Sequence, residues 1–161
     1  MTISFFIGGA RSGKSISAEK YTLSLGQDPI YMATCEISDD EMARRVKRHQ
    51  DRRDKNWTTI LAPLDVSDEI IKLGAKEPIL IDCLTLWLSN HLLRNNNLEK
   101  KVDELTNTLK NSKSDIVLVS NEVGTGIVPD NALAREFRDI QEENLRINKQ
   151  EVLGMLGPNG V

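Results

Sequence analysis

The chain has 161 residues, with 21 Lys+Arg against 24 Asp+Glu and a formal net charge of −3. That length suits one domain with a sizeable core, and a mildly acidic balance speaks against a partner made of nucleic-acid phosphates. Two cysteines, Cys35 and Cys83, stand far apart and outside any CxxC, which argues against a disulfide framework or a zinc site.

In chain order, "ISFFI" (Ile3 to Ile7) is a continuous apolar run ending at two glycines, the pattern of a strand buried on both faces. "SGKSISAEKYTLSLG" reads as a helix closed at Gly26, and "PIYMAT" (Pro29 to Thr34) as a second strand. Ser38-Asp39-Asp40-Glu41 forms a capping box opening an arginine-rich helix. "PILIDCLT" (Pro78 to Thr85) is a third strand, "LWLSNHLLRNNN" a helix whose asparagines make a turn, and Leu98 to Lys110 another helix. "DIVLVSNEVG" (Asp115 to Gly124) is a fourth strand, and a helix starts near Pro129. "EVLGMLG" is a candidate fifth, edge strand weakened by its glycines. Strands alternating with helices predict an α/β fold with a mostly parallel sheet, as a single domain over residues 1–161. No apolar run is long enough to span a bilayer and no signal peptide is visible, so a reducing cytoplasm is the expected location.

The strongest motif is "GGARSGKS", with G-x-x-x-x-G-K-S from Gly8 to Ser15 between a strand and a helix, the setting a P-loop requires. Its residues, Gly8, Gly9, Ala10, Arg11, Ser12, Gly13, Lys14 and Ser15, are expected to hold a triphosphate. The glycines let backbone N–H groups approach phosphate oxygens, Lys14 adds a charge at the β/γ-phosphates, and the Ser15 hydroxyl ligates Mg²⁺. Asp82 closes the strand "PILID" and suits the second Mg²⁺ ligand; the bland reading is a cap for the next helix.

"MARRVKRHQDRR" (Met42 to Arg53) sets one histidine among six cations. At about 100° per residue, Met42, Val46, His49 and Arg53 share one side, with Arg44, Lys47, Arg48 and Asp51 on the other. On spacing alone His49 reads as a partly buried packing residue. The functional reading is a neutral imidazole, kept neutral by cations, that attacks phosphorus.

"GGARSGKS", "YMATCEISDDEMARRVKRHQDRR", "DCLTLWLSNHLL" and "NEVGTGIVPDNALAREFRDI" occur in that order. Together they resemble the bifunctional adenosylcobinamide kinase / adenosylcobinamide-phosphate guanylyltransferase family of cobalamin biosynthesis, from about Ile3 to Ile140. The resemblance implies a RecA-like P-loop fold, a homotrimer, and phosphorylation of the corrinoid adenosylcobinamide by ATP or GTP. GMP then passes from GTP to that phosphate through a histidine, which corresponds here to His49. It also implies that Ala33, Thr34 and Cys35, with Gln50, Asp51, Arg52 and Arg53, line the nucleotide pocket. The loop Asn121 to Pro129 would close the strand-end cleft. His91 has no place in the pattern and reads as a helix-surface or packing residue.

Two departures stand out. Leu61 and Ala62 occupy positions where relatives carry an acidic pair that includes a glutamate contacting the guanine nucleotide. From about residue 141, "QEENLRINKQEVLGMLGPNGV" leaves the family pattern and resembles the first strand of an ABC-transporter ATPase, without the lysine and hydroxyl of a phosphate loop. Two other readings therefore stay open: a P-loop small-molecule kinase without guanylyl transfer, and an inactive remnant.

Overall fold

The computed structural model describes residues 2–9, 11–74 and 77–121 in full, and Met155 and Leu156 by their backbone. The first apolar run forms β1 (Ile3–Gly8), whose neighbouring phenylalanines serve opposite sides of the sheet and are each 2% exposed. Phe5 joins one core layer and Phe6 the other. A strand buried on both faces needs helices on both faces, and the chain supplies them.

Helix α1 (Lys14–Leu25) begins at Gly13, whose φ of 81° is a left-handed conformation that glycine adopts without steric cost. Strand β2 (Ile30–Ala33) follows, then α2 (Asp40–Arg52). Asp39, rather than the expected Ser38, caps α2, its carboxylate accepting from the Met42 N–H at 2.7 Å. Two cap-competent residues are adjacent, and the helix takes the one whose charge also suits its N-terminal dipole.

Two further elements were not anticipated: the short strand β3 (Thr58–Leu61) and the helix α3 (Val66–Leu73), closed by Gly74 with φ 48°. Strand β4 (Ile79–Asp82) leads into α4 (Leu84–Leu93), and Asn97 then caps α5 (Leu98–Asn111). Strand β5 (Ile116–Asn121) and the two-residue β6 (Met155–Leu156) complete the sheet. The expected edge strand in "EVLGMLG" is therefore present, pairing Met155 with Phe6 and Leu156 with Ile7. The helix expected from Pro129 lies outside the described residues.

The strand order is β3-β2-β4-β5-β1-β6, with every pairing parallel. This is the α/β architecture read from the alternating elements. One layer packs Ile3, Phe5, Met32, Ile79, Ile81, Ile116 and Leu118 against α3, α4 and α5, and includes Trp87. The other packs Phe6, Tyr31, Ala33, Leu80, Val117 and Val119 against Ala18 of α1. Helix α2 contributes no buried residue. No helix among the described residues is long and apolar enough to cross a membrane.

His91 is a packing residue, not a surface one. It is 2% exposed, edge-on to Trp87 at 4.8 Å, and its Nε2 donates to the Leu64 carbonyl at 3.2 Å. Its Nδ1 accepts from Asn96 at 2.9 Å, which fixes the neutral tautomer.

Candidate active site

All strands run the same way, so their carboxyl ends converge, and open α/β sheets bind ligands outside those ends. There Gly8 stands beside Asn121, and Ala33 between Leu61 and Asp82. A cavity of about 400 Å³ opens at this edge. Its lining includes Arg11, Lys14, Ser15, Tyr31, Ala33, Cys35, Met42, Arg45, Val46, His49, Gln50, Arg53, Thr59, Asp82 and Asn121. The phosphate loop, the strand-end aspartate and the histidine of the arginine-rich helix thus face one space. A second groove of similar volume, lined by Ile70, Ile71, Asn107 and Thr108 among others, contains none of the expected site residues.

The loop between β1 and α1 has the geometry that phosphate binding demands. Gly8 is pinched: a Cβ there would lie 2.6 Å from Ser12 Oγ. Arg11 takes a left-handed φ of 60°, and Gly13 begins α1 with no side-chain cap. The first N–H groups of α1 are therefore open to an anion, with the positive end of the helix dipole behind them. Lys14 is 7% exposed and its Nζ donates to the Gly9 carbonyl at 3.0 Å. Ser12 Oγ is buried without a hydrogen-bond partner among the described residues, the kind of orphaned donor that a phosphate oxygen satisfies. Ala10 lies outside the described residues.

Asp82 is half-buried at the end of β4, and the Tyr31 hydroxyl donates to its Oδ2 at 2.8 Å. Burial, then the Asp82 charge, pushes the Tyr31 phenol far up, so it stays a donor at every working pH. The Arg53 guanidinium lies 3.4 Å over the Tyr31 ring, and Trp57 meets that ring edge-on at 6.1 Å. Ser15 and Asp82 are hard oxygen donors on one cavity, the ligand type Mg²⁺ prefers. No group of three or more His, Cys, Asp or Glu among the described residues is placed to hold a metal. Ser15 and Asp82 would hold a Mg²⁺ here only together with oxygen donors from outside the described residues.

His49 occupies the last turn of α2 and is partly buried. Arg52 Nη2 approaches its Nδ1 at 3.4 Å. Burial first, and the Arg52 charge second, hold the imidazole below its ordinary pKa, against the opposing pull of Asp82 and Glu19. The ring is therefore neutral at neutral pH. The cations contribute as expected, but burial is the larger cause.

Met42, Val46 and His49 line the cavity, as their helical phase predicts, with Arg45 and Gln50 beside them; Arg53 also lines it, but from extended backbone just past the end of α2. Three expected pocket residues are placed differently. Thr34 is fully buried: its hydroxyl donates to the Cys83 carbonyl at 2.7 Å and accepts from the Cys83 N–H at 2.8 Å, which ties β2 to β4. Asp51 is exposed and outside the lining, because it sits on the far side of α2. Arg52 is also outside the lining and meets His49 Nδ1 at 3.4 Å. Ala62 belongs to the core, whereas Leu61 is 52% exposed beside Ala33. The loop Asn121 to Pro129 lies outside the described residues beyond Asn121.

Tyr31 and Glu19 were missed from sequence. For Tyr31 a signal existed: it precedes Ala33 by two, so it shares that face of β2. For Glu19 there was none, because its partners Arg52 and Arg53 lie at the end of another helix and just past it.

Comparison with known proteins bears directly on this geometry. The chain is 40% identical over 136 residues to the bifunctional adenosylcobalamin biosynthesis protein CobP of Pseudomonas aeruginosa, covering 83% of this chain and 79% of that protein. It is 39% identical over 155 residues to CobU of Salmonella typhimurium, covering 83% and 82% of the two chains. Against CobU of Escherichia coli K12 it is 35% identical over 160 residues, covering 89% and 86%. Both CobU proteins carry the same bifunctional description. A family model for cobinamide kinase / cobinamide phosphate guanyltransferase matches residues 4–152, reaching past the point where the tail departs from the family's sequence pattern. A match of that extent, over a phosphate loop and a histidine helix that share one cavity, means that the chain belongs to the cobinamide kinase / cobinamide phosphate guanyltransferase (CobU) family.

Proposed function

We propose that this protein phosphorylates adenosylcobinamide with ATP or GTP, then transfers GMP from GTP to the new phosphate through His49. The family supports the pair of reactions. The observation that carries the residue roles is the shared cavity, in which Lys14, Ser15, Asp82 and His49 face the same 400 Å³. In the kinase step the open N–H groups of α1 and the Lys14 ammonium offset charge on the phosphoryl group in flight. Ser15 and Asp82 would hold Mg²⁺, which would supply positive charge against the phosphates.

In the transfer step, the imidazole lone pair of neutral His49 attacks the α-phosphorus of GTP. The N–P bond forms as the bond to the β-phosphate oxygen breaks and pyrophosphate leaves. A phosphate oxygen of adenosylcobinamide phosphate then attacks the same phosphorus, breaks the N–P bond and restores the histidine. Arg45 and Arg53 line the cavity and offset the charge at that phosphorus, while Ala33, Cys35 and Gln50 bound the nucleotide space. The same reading includes a single P-loop domain over residues 1–161, a homotrimer and a cytoplasmic location.

The test is incubation with Mg²⁺ and GTP labelled at the α-phosphate. The expected adduct is a phosphoramidate, labile in acid and stable in base, absent in His49→Ala. An unlabelled wild type would overturn guanylyl transfer. That outcome would favour the kinase-only reading, which the aliphatic Leu61 and Ala62 at the end of β3 motivate.

A further inference from the structure

Helix α2 carries the nucleophile yet contributes no residue to the core, so something other than apolar packing must fix its C-terminal end. Its own Arg45–Glu41 pair, at 3.7 Å, lies within the helix and cannot set the helix against the sheet. Glu19 can. It lies one turn after Ser15 on α1, and its side chain is only 10% exposed. Its Oε1 accepts from Arg52 Nη2 at 2.8 Å and stands 3.6 Å from Arg53 Nη1.

The same Arg52 nitrogen is the one that meets His49 Nδ1 at 3.4 Å. Carboxylate, guanidinium and imidazole thus form a chain of three, anchored on the phosphate-loop helix and ending on the nucleophile. Arg53, with its side chain 3% exposed, extends the contact to Tyr31 and so to Asp82. Removing the shared carboxylate leaves a buried guanidinium uncompensated and frees Arg52 from its place beside the ring.

We propose that Glu19 is a positioning residue for guanylyl transfer, holding the His49 end of α2 against the phosphate-loop helix through Arg52 and Arg53. This rests on His49 being the GMP carrier. Glu19 touches no reacting atom and acts through the arginines.

The experiment times α-labelled GMP incorporation in the full chain alongside ATP-dependent phosphorylation of adenosylcobinamide. Glu19→Gln is expected to slow labelling by roughly 10- to 100-fold, the size of effect an ångström-scale misplacement produces. Phosphorylation is expected to stay within about threefold of wild type, because direct transfer bypasses the histidine. Glu19→Asp, which keeps the charge on a shorter arm, is expected to recover part of the labelling. Equal loss of both reactions without recovery by Glu19→Asp would mean a merely structural role and overturn the proposal, as would labelling of Glu19→Gln at the wild-type rate.

Should Glu19→Gln fold poorly, the Arg52 side chain is 39% exposed, and Arg52→Gln offers a gentler break in the same chain. It is expected to slow labelling similarly, with the double variant no slower than the worse single one; additive losses would overturn the coupling. A wild type that takes no label removes the His49 reading and this proposal together. A labelled wild type with an unaffected Glu19→Gln removes this proposal alone.

Discussion

Tyr31→Phe isolates one hydrogen bond at Asp82, the carboxylate proposed to hold Mg²⁺. Phenylalanine keeps the ring, and with it the Arg53 stack at 3.4 Å and the Trp57 edge contact at 6.1 Å; only the 2.8 Å bond to Asp82 Oδ2 is lost. A hydrogen bond to a charged group contributes about 1.5–3 kcal/mol, which at 1.4 kcal/mol per tenfold spans roughly 10- to 150-fold. Asp82 is only half-buried, so water can take the place of the phenol and the lower end applies. The expected outcome is a rise of about tenfold in the Mg²⁺ concentration needed for half-maximal GTP binding, in line with losses seen when outer-shell partners of metal ligands are removed. Equilibrium dialysis with labelled GTP across a Mg²⁺ series measures it, with EDTA as the zero point. An unchanged Mg²⁺ midpoint would refute the reasoning. So would a loss of GTP binding equal in Mg²⁺ and in EDTA, since that would place the defect in packing rather than in the carboxylate.

Other outcomes follow from the same geometry. Gly8→Ala sets a Cβ 2.6 Å from Ser12 Oγ; overpacking of this kind costs about 1–3 kcal/mol, lowering Tm by about 2–4 °C per kcal/mol at this size. Ser12→Ala, which removes an oxygen without a partner among the described residues, is expected to be near neutral alone and to recover most of the Gly8→Ala loss; thermal unfolding without nucleotide reads both. Because the His49 pKa is held below 6.5, single-turnover labelling should stay flat from neutrality to pH 6.5 and fall only at lower pH. His91 is also held below 6.5, by burial first. In each case the unfolded chain binds protons that the folded one does not, so urea midpoints should be constant above pH 6.5 and fall as the pH drops beneath it.

What the sequence disclosed was what depends on local order. The phosphate loop is one contiguous motif between a strand and a helix, so it can be read from adjacent residues alone. The phase of α2 put Met42, Val46 and His49 on one side, and all three line the cavity. Strand β3 escaped notice because it lies at the sheet edge with no fully buried residue, leaving neither alternation nor an apolar run to see. The histidine's surroundings escaped for a different reason. Glu19 and Arg52 are 33 residues apart, and Tyr31 and Asp82 are 51 apart. Pairings made by the fold across such separations leave no spacing to read. Thr34 shows the converse: it sits next to pocket residues in the chain, yet strand alternation turns it into the body of the domain.

The two tryptophans stand on opposite sides of the sheet. Trp87 is 2% exposed, with its indole N–H donating to the Leu64 carbonyl at 3.0 Å. Trp57 is partly buried against Tyr31 at the site. The protein therefore carries two intrinsic fluorophores with separate subjects. Emission from Trp57 reports the surroundings of Tyr31 at the edge of the cavity, while emission from Trp87 reports the integrity of the helical layer on the other face. With Trp57→Phe and Trp87→Phe in hand, ligand binding and unfolding can be followed as two optical signals from one unlabelled chain.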